Sequence, residues 1–256
     1  MVVVLYSEKE IASKCIAHQL IDLINPEKIE ENVFLYKGHY ICKVDVDKMY
    51  KIYSPIEVKD YAIILSPHKS KTGKPSLTVH TPGNWNEADF GGKPYTLNYG
   101  NGSLMWSLLR NLNNMNDINY NVSYEVDHHG PTVDYPITFI EVGSTKKEWN
   151  NVKACNIVAK SVLDILDNGF KQVDNWIGIG GGHYAPTFTR KSLNEEIGFP
   201  HMAPKYRLLN KDLLIQSLEK SAQNVKGFCL DKKGLGKNKH ELLDLLSTIR
   251  AEVIYC

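Results

Sequence analysis

The chain opens with MVVVLYSEKEIASKCIAHQLIDL (residues 1–23), and this stretch decides the class of fold. Val2–Leu5 is an unbroken apolar run of strand length, as a strand covered on both faces requires. Ala12, Ile16, Leu20 and Leu23 then recur at helical spacing until Asn25–Pro26 ends the pattern. Ser7 stands three residues before Glu10, the spacing of a capping box. A strand feeding directly into an amphipathic helix is the unit of α/β folds.

Working outward, the same two periods alternate. Short strand-like pieces occur at Val33–Tyr36, Tyr40–Val44, Phe228–Leu230 and Val253–Tyr255. Tyr61–Leu65 reads as a central strand, and Pro136–Val142 and Asn175–Gly180 as two more. Tyr120–Asp127 alternates, with Tyr120, Val122, Tyr124 and Val126 on one face and Asn121, Ser123, Glu125 and Asp127 on the other. Helices are predicted at Ser103–Leu112, Lys147–Leu166, Leu209–Ala222 and Lys239–Ile249. Residues 66–103 hold Pro67, Pro75, Pro82 and Pro94 among glycines, and read as a long functional loop. The expectation is an α/β fold with a mixed, mostly parallel sheet flanked by helices. It forms one catalytic domain over residues 1–256, with residues 1–60 as a candidate N-terminal subdomain.

At 256 residues, with 43% hydrophobic and 23% charged, the composition is that of a folded globular chain and excludes a disordered one. Lys plus Arg is 30 and Asp plus Glu is 29, so net charge provides no steering toward nucleic acid; an RNA contact must come from a local patch. The five cysteines (Cys15, Cys42, Cys155, Cys229, Cys256) are widely spaced with no C-x-x-C, which reads as free thiols in a reducing compartment. Met1–Tyr6 is too short for a signal peptide, and no apolar run approaches the ~20 residues of a membrane span. A cytoplasmic protein without membrane attachment is expected, a monomer or homodimer with no obligate protein partner.

The chemistry concentrates in histidines beside turn residues: His80, His128, His129, His183 and His201. Glu125 and Asp127 lead into the His pair, and Glu141 ends the next strand. Ligands in open α/β sheets bind at the carboxyl ends of strands. Histidine with carboxylate is the ligand set of catalytic zinc, which turns bound water into a nucleophile near neutral pH. From a regular strand His128 and His129 should diverge, unless the turn at Gly130–Pro131 redirects them. Standard motifs are absent: His240-Glu241-Leu242-Leu243-Asp244 lacks the second His of a zinc-protease helix, and Gly178–Gly182 lacks G-x-G-x-x-G spacing. Basic residues cluster at Lys69, Lys71 and Lys74; at Arg190, Lys191, Lys205 and Arg207; and at Lys232, Lys233, Lys237 and Lys239. They flank the Gly/His segments, where phosphate contacts would be useful.

Several of these segments together resemble the D-aminoacyl-tRNA deacylases of the archaeal and plant type. They are Ser76–Asn84 with His80, Tyr124–Thr132 (YEVDHHGPT), Phe139–Ser144 (FIEVGS), Trp149, Gly178–Arg190 (GIGGGHYAPTFTR) and His201–Tyr206. The resemblance covers roughly residues 60–210 and departs from the pattern at Pro200–Ala203. It implies a fold similar to the phosphorylase/peptidyl-tRNA hydrolase type, zinc dependence, and hydrolysis of the ester of D-aminoacyl-tRNA. The expected assignment is His80, Glu125 and His128 as metal ligands, with His129, His183 and Glu141 acting on the substrate. Gly180, Gly181 and Gly182 would supply oxyanion amides, Tyr184 and Thr187 the walls that reject an L-amino acid, and Arg190 and Lys205 the RNA contacts. The tRNA 3′ end would stack on an aromatic. Two other readings stay open. One is a zinc-dependent amidohydrolase or peptidase acting on a small substrate; the other is a non-catalytic RNA-binding protein.

Overall fold

The apolar opening strand lies inside a sheet, with a neighbour on each edge. In this computed structural model, which describes residues 1–205, 209–237 and 239–256, β1 (Val2–Tyr6) is buried throughout. After α1 (Ile11–Ile24), the antiparallel strands β2 (Glu27–Glu30), β3 (Val33–Tyr36) and β4 (His39–Lys43) bring the chain back parallel to β1. A single turn of 3-10 helix at Met49–Lys51 follows. β5 (Tyr61–Lys69) then pairs parallel with the other edge of β1. Val2, Val4 and Tyr6 face one layer of core and Val3 and Leu5 the other, so every position in the run needs an apolar side chain.

The sheet continues with β6 (Ser76–His80), the two-residue pieces β7 (Gly83–Asn84) and β8 (Thr96–Leu97), α2 (Gly102–Met115), β9 (Asn121–Tyr124) and β10 (Ile137–Ser144). Its order is β2-β3-β4-β1-β5-β10-β6-β9. Helices α3 (Lys146–Trp149) and α4 (Val152–Asn168) join α1 and α2 on one face. The opposite face, with Ile64, Ile137 and Phe139, is covered by non-helical chain carrying Ile52, Val58 and Tyr135.

The remaining elements form a second sheet. They are β11 (Asp174–Ile179), α5 (Pro186–Asn194), β12 (Ile197–Gly198), β13 (Met202–Ala203), α6 (Lys211–Glu219), β14 (Val225–Leu230), α7 (Lys239–Ser247) and β15 (Glu252–Tyr255). The order is β12-β11-β14-β15, with β13 also on β11, and every pairing is parallel. The architecture is α/β with mixed, mostly parallel sheets flanked by helices, but there are two main sheets rather than one. No described helix is long and apolar enough to cross a membrane.

Four local expectations are corrected. Residues 66–103 are not one long loop: β5 runs on through Pro67 to Lys69, and β6 follows between Pro75 and Pro82. The Ser7 capping box does not form, because α1 starts after Glu10 without a side-chain cap and the Ser7 hydroxyl donates to the Val46 carbonyl (2.5 Å). The helix expected over Lys147–Leu166 is interrupted, since Asn151 caps a new helix by accepting from the N–H of Lys153 and Ala154. The cysteines are not all free thiols. Packing of α1 on α4 joins Cys15 to Cys155 (Cα–Cα 5.8 Å), and the C-terminal strand joins Cys256 to Cys229 (6.4 Å). Sequence spacing carries no trace of contacts between residues so far apart in the chain. Only Cys42, buried, remains free. Thiol titration of the unreduced, denatured protein is expected to find that single thiol, and full reduction to expose all five cysteines.

Candidate metal centre

The centre forms where β5 outlasts β1. β1 accompanies β5 only as far as Ile64, after which β5 continues beside β10 to Lys69. That extension lifts His68 beside Glu141 of β10, while β6 delivers His80 from the other flank of β10. Glu125 follows β9 and is fully buried. His129 sits at φ +49, in the left-handed region, so its ring turns back to the side of His128. The two rings lie 4.4 Å apart, and the His80 ring is 4.3 Å from His128 and 5.0 Å from His129. The divergence of a regular strand is thereby avoided.

Three imidazoles are oriented in the same way. Nδ1 of His80 bonds to the carbonyl of Thr81 (3.2 Å), Nδ1 of His128 to that of Val126 (2.8 Å) and Nδ1 of His129 to that of Gly130 (2.6 Å). A carbonyl only accepts, so each Nδ1 carries the hydrogen, and in His128 and His129, which burial keeps neutral, the lone pair is left on Nε2. Ligand atoms of the three rings lie within 4.8 Å of one another. His80 Nε2 is buried with no hydrogen-bond partner. A buried ring nitrogen without a hydrogen-bond partner is costly unless a ligand meets it. Backbone carbonyls fixing the other ring nitrogen are the usual outer support of metal-binding histidines.

A second layer of charge lies beneath. Glu125 Oε2 is 2.8 Å from His183 Nε2 and 3.5 Å from His128 Nε2, and its Oε1 is 2.9 Å from His68 Nδ1. His68 Nδ1 is also 3.5 Å from Glu141 Oε2, which lies 3.8 Å from His80 Nε2 and accepts from the Thr78 hydroxyl. Glu125, His128 and His183 form one further group able to hold a cation, and His68, Glu125 and Glu141 another. Burial opposes charge on His68, yet the two carboxylates outweigh it and hold its pKa at about 11. Burial likewise disfavours charged Glu125 and Glu141, but His183 and His68 pull the first down and His68 and His80 the second. Desolvation and then the charge of His80 push His128 and His129 down, His129 to about 4. The result is two neutral imidazoles, His128 and His129, in front, while Glu141 favours the charged form of His80 and His68 is paired with both carboxylates behind.

Every sequence-predicted ligand and acid–base residue is thus near the centre, though the expected trio of His80, Glu125 and His128 is divided between groups. His68 was missed. Pro67 breaks the apolar run, so the strand reads as ending at Leu65; the His three residues beyond that run was the available signal. His201 is fully buried away from the cluster, with Nδ1 on Asp127 Oδ2 (2.7 Å) and Nε2 on the Lys220 carbonyl (3.0 Å). Of the glycine amides, Gly180 N–H already donates to Ala203 and Gly181 N–H to Gly234, so neither is open to an oxyanion; Gly182 faces open space. The Tyr184 hydroxyl lies 3.0 Å from His68 Nε2 and donates to Ser70 Oγ, and the Thr187 hydroxyl donates to Asp231.

These bonds gather the basic loops. Ser70, held by Tyr184, stands between exposed Lys69 and Lys71. Asp231, held by Thr187, precedes exposed Lys232 and Lys233, and Lys205 N–H donates to Gly181. The lysines of three chain segments therefore rim the Gly180–Tyr184 loop. Arg190 is exposed on α5, in a groove shared with Tyr184. Arg207 and Tyr206 lie outside the described residues.

A family model described as D-aminoacyl-tRNA deacylase matches residues 56–254, which include every group of this centre. The chain belongs to the D-aminoacyl-tRNA deacylase family. Among relatives of that name, the protein of Methanocaldococcus jannaschii is 35% identical over 253 residues, covering 93% of this chain and 92% of its own. That of Thermococcus kodakarensis is 42% identical over 175 residues, covering 66% of this chain and 63% of its own. The chain thus matches slightly under two thirds of the Thermococcus relative's length. The fold is similar to the crystal structure of a conserved protein of unknown function, AF0625 (TM-score 0.90, 28% identity, 100% of this chain and 95% of that one).

The charge layout has a measurable consequence in metal-free protein. His128 and His129 are neutral when folded but have unfolded pKa values of about 6.5. Below that pH the unfolded chain takes up protons that the folded site refuses, so stability falls as pH drops from 6.5 toward the folded value of about 4. Thermal melts across this window should show the fall, and His129→Asn should reduce it. His68→Ala leaves two buried carboxylates without their cation and is expected to cost about 3–5 kcal/mol in urea unfolding.

Proposed function

We propose that the chain hydrolyses the ester bond of D-aminoacyl-tRNA, releasing tRNA and the free D-amino acid, as one catalytic unit. The observation that carries this reading is the cluster of three imidazoles together with exposed lysines of separate segments gathered at the Gly180–Tyr184 loop, whose His183 meets Glu125 beneath that cluster. A small-amide hydrolase has no use for such a rim. A polyanion tracked through its phosphates does, at a net protein charge of only +1.

His80, His128 and His129 suit a divalent metal, and zinc is among the ions that imidazole donors favour. Held there, zinc supplies Lewis acidity, bringing the pKa of water near neutrality. The protein's own groups do the rest. His183, whose Nε2–H donates to Glu125, accepts the proton of the attacking water at Nδ1 and returns it to the ribose oxygen as the ester parts. Glu141 holds His80 and His68 in place from below. The amide of Gly182 is the glycine amide left to meet the developing oxyanion. Tyr184, tethered to His68 and Ser70, forms a rigid wall against which an L-side chain would collide. Arg190 and Lys205 bind phosphate.

An assay of D-Tyr-tRNA against L-Tyr-tRNA tests this directly. Only the D-ester should be cleaved, with activity lost on chelation and restored by zinc. His183→Ala should lower kcat about 10²–10⁴-fold. KM for the tRNA ester should rise steeply with salt; a salt-independent KM together with fast cleavage of small amides would favour the amidohydrolase reading.

A further inference from the structure

Next to the turn that carries His129, the surface holds an aromatic ring that burial should have claimed. Phe90 is 63% exposed, the most open of the large apolar side chains among the described residues. An exposed phenyl on a pliant loop would mean little. Here the loop is braced. Asn84 Nδ2 donates to the carbonyls of Gly91 and Lys93, Gly130 N–H donates to the carbonyl of Phe90 itself, and Lys93 N–H donates to Thr132 Oγ1. Gly91 and Gly92 both adopt left-handed φ (+76 and +79), which only glycine enters freely. A Cβ on Gly91 would lie 2.8 Å from the ring of Tyr50, and one on Gly92 3.1 Å from Gly130 Cα. Side-chain-free backbone is thus what lets the loop close on Tyr50 and on the turn that carries His129.

The rings form a continuous series from solvent to the centre. Phe90 meets Tyr50 edge-on at 6.3 Å, Tyr50 lies 6.5 Å from His129, and His129 lies 4.4 Å from His128. The platform and the lysine loops reach the centre through different residues: Phe90 through His129 and Gly130, the lysines through Tyr184 and Gly181. Charge differs as well. Phe90 follows Asp89 and is close in sequence to Glu87, which suits an uncharged ring rather than a phosphate.

We propose that Tyr50 and Phe90 form the stacking platform for the unpaired 3′-terminal base of the tRNA ester. This inference rests on the proposed deacylase function. The ester bond and that base hang on the same ribose, so a ring beside the reacting centre is where the base must go. Stacking tolerates any base and needs only an open π-face, which Phe90 offers. It anchors the end of the substrate while the lysine loops hold its phosphates.

The test compares wild type, Phe90→Ala and Phe90→Trp on D-Tyr-tRNA and on D-tyrosine methyl ester, with binding of a CCA trinucleotide measured separately. Phe90→Ala should raise KM for the tRNA ester roughly 10- to 100-fold, with kcat little changed. The preference for tRNA ester over methyl ester should fall by the same factor, and CCA binding should weaken. Phe90→Trp should restore both. Because the ring is exposed, both variants are expected to melt like wild type. An unchanged preference and unchanged CCA binding in Phe90→Ala overturn the platform. So does a change from dimer to monomer in sedimentation with the preference intact, which would assign the ring to a second copy of the chain. If wild type cleaves no D-Tyr-tRNA yet binds CCA through Phe90, the deacylase reading fails and the platform stands.

Discussion

Two carboxylates out of reach of water, Glu125 and Glu141, constrain the rest of this structure. A buried anion is tolerable only with compensating positive charge and hydrogen bonds. His68 provides the cation between them, with His183 on one side and His80 on the other. That demand explains why β5 must outrun β1, since a strand ending with its partner would leave His68 short of Glu141. It explains the division of labour among the histidines as well. The ring nearest both carboxylates stays charged, while His128 and His129, crowded by one another and by His80, stay neutral and keep lone pairs for a ligand.

The centre lies where two sheets are stitched together, and Asp127 is the main stitch. Its N–H donates to the Met202 carbonyl and its Oδ1 accepts from Met202 N–H, fixing the end of the first sheet to β13 of the second. Its other oxygen meets His201, whose second nitrogen meets a carbonyl. Both ring nitrogens of His201 thus face acceptors. Val126 N–H donates to the His183 carbonyl one residue earlier. Residues 125–129 therefore alternate between building the joint and furnishing the site: Glu125, His128 and His129 face the centre, and Val126 and Asp127 tie in the glycine-rich segment.

Much of this was legible in the chain. The unbroken apolar run Val2–Leu5, the period of α4 and the alternation of Tyr120–Asp127 each reported burial that the fold delivers. The nearness of His80, Glu125, His128, His129, Glu141 and His183 followed from their places at strand ends beside turns. His68 was hidden because Pro67 masks the continuation of β5, and a strand that exceeds its neighbour has no local signature. The engagement of the Gly180 and Gly181 amides was equally hidden, since their acceptors, Ala203 and Gly234, come from distant segments.

Sequence alone determined the class of fold, the family and the inventory of chemically able side chains, because periodicity and local motifs record burial and residue type. The tertiary structure decided which nitrogen of each histidine is free, which carboxylates are paired, which cysteines meet and which aromatic stays in solvent. Those outcomes depend on through-space distances between segments far apart in the chain, set by how two sheets pack, and no short-range pattern encodes them.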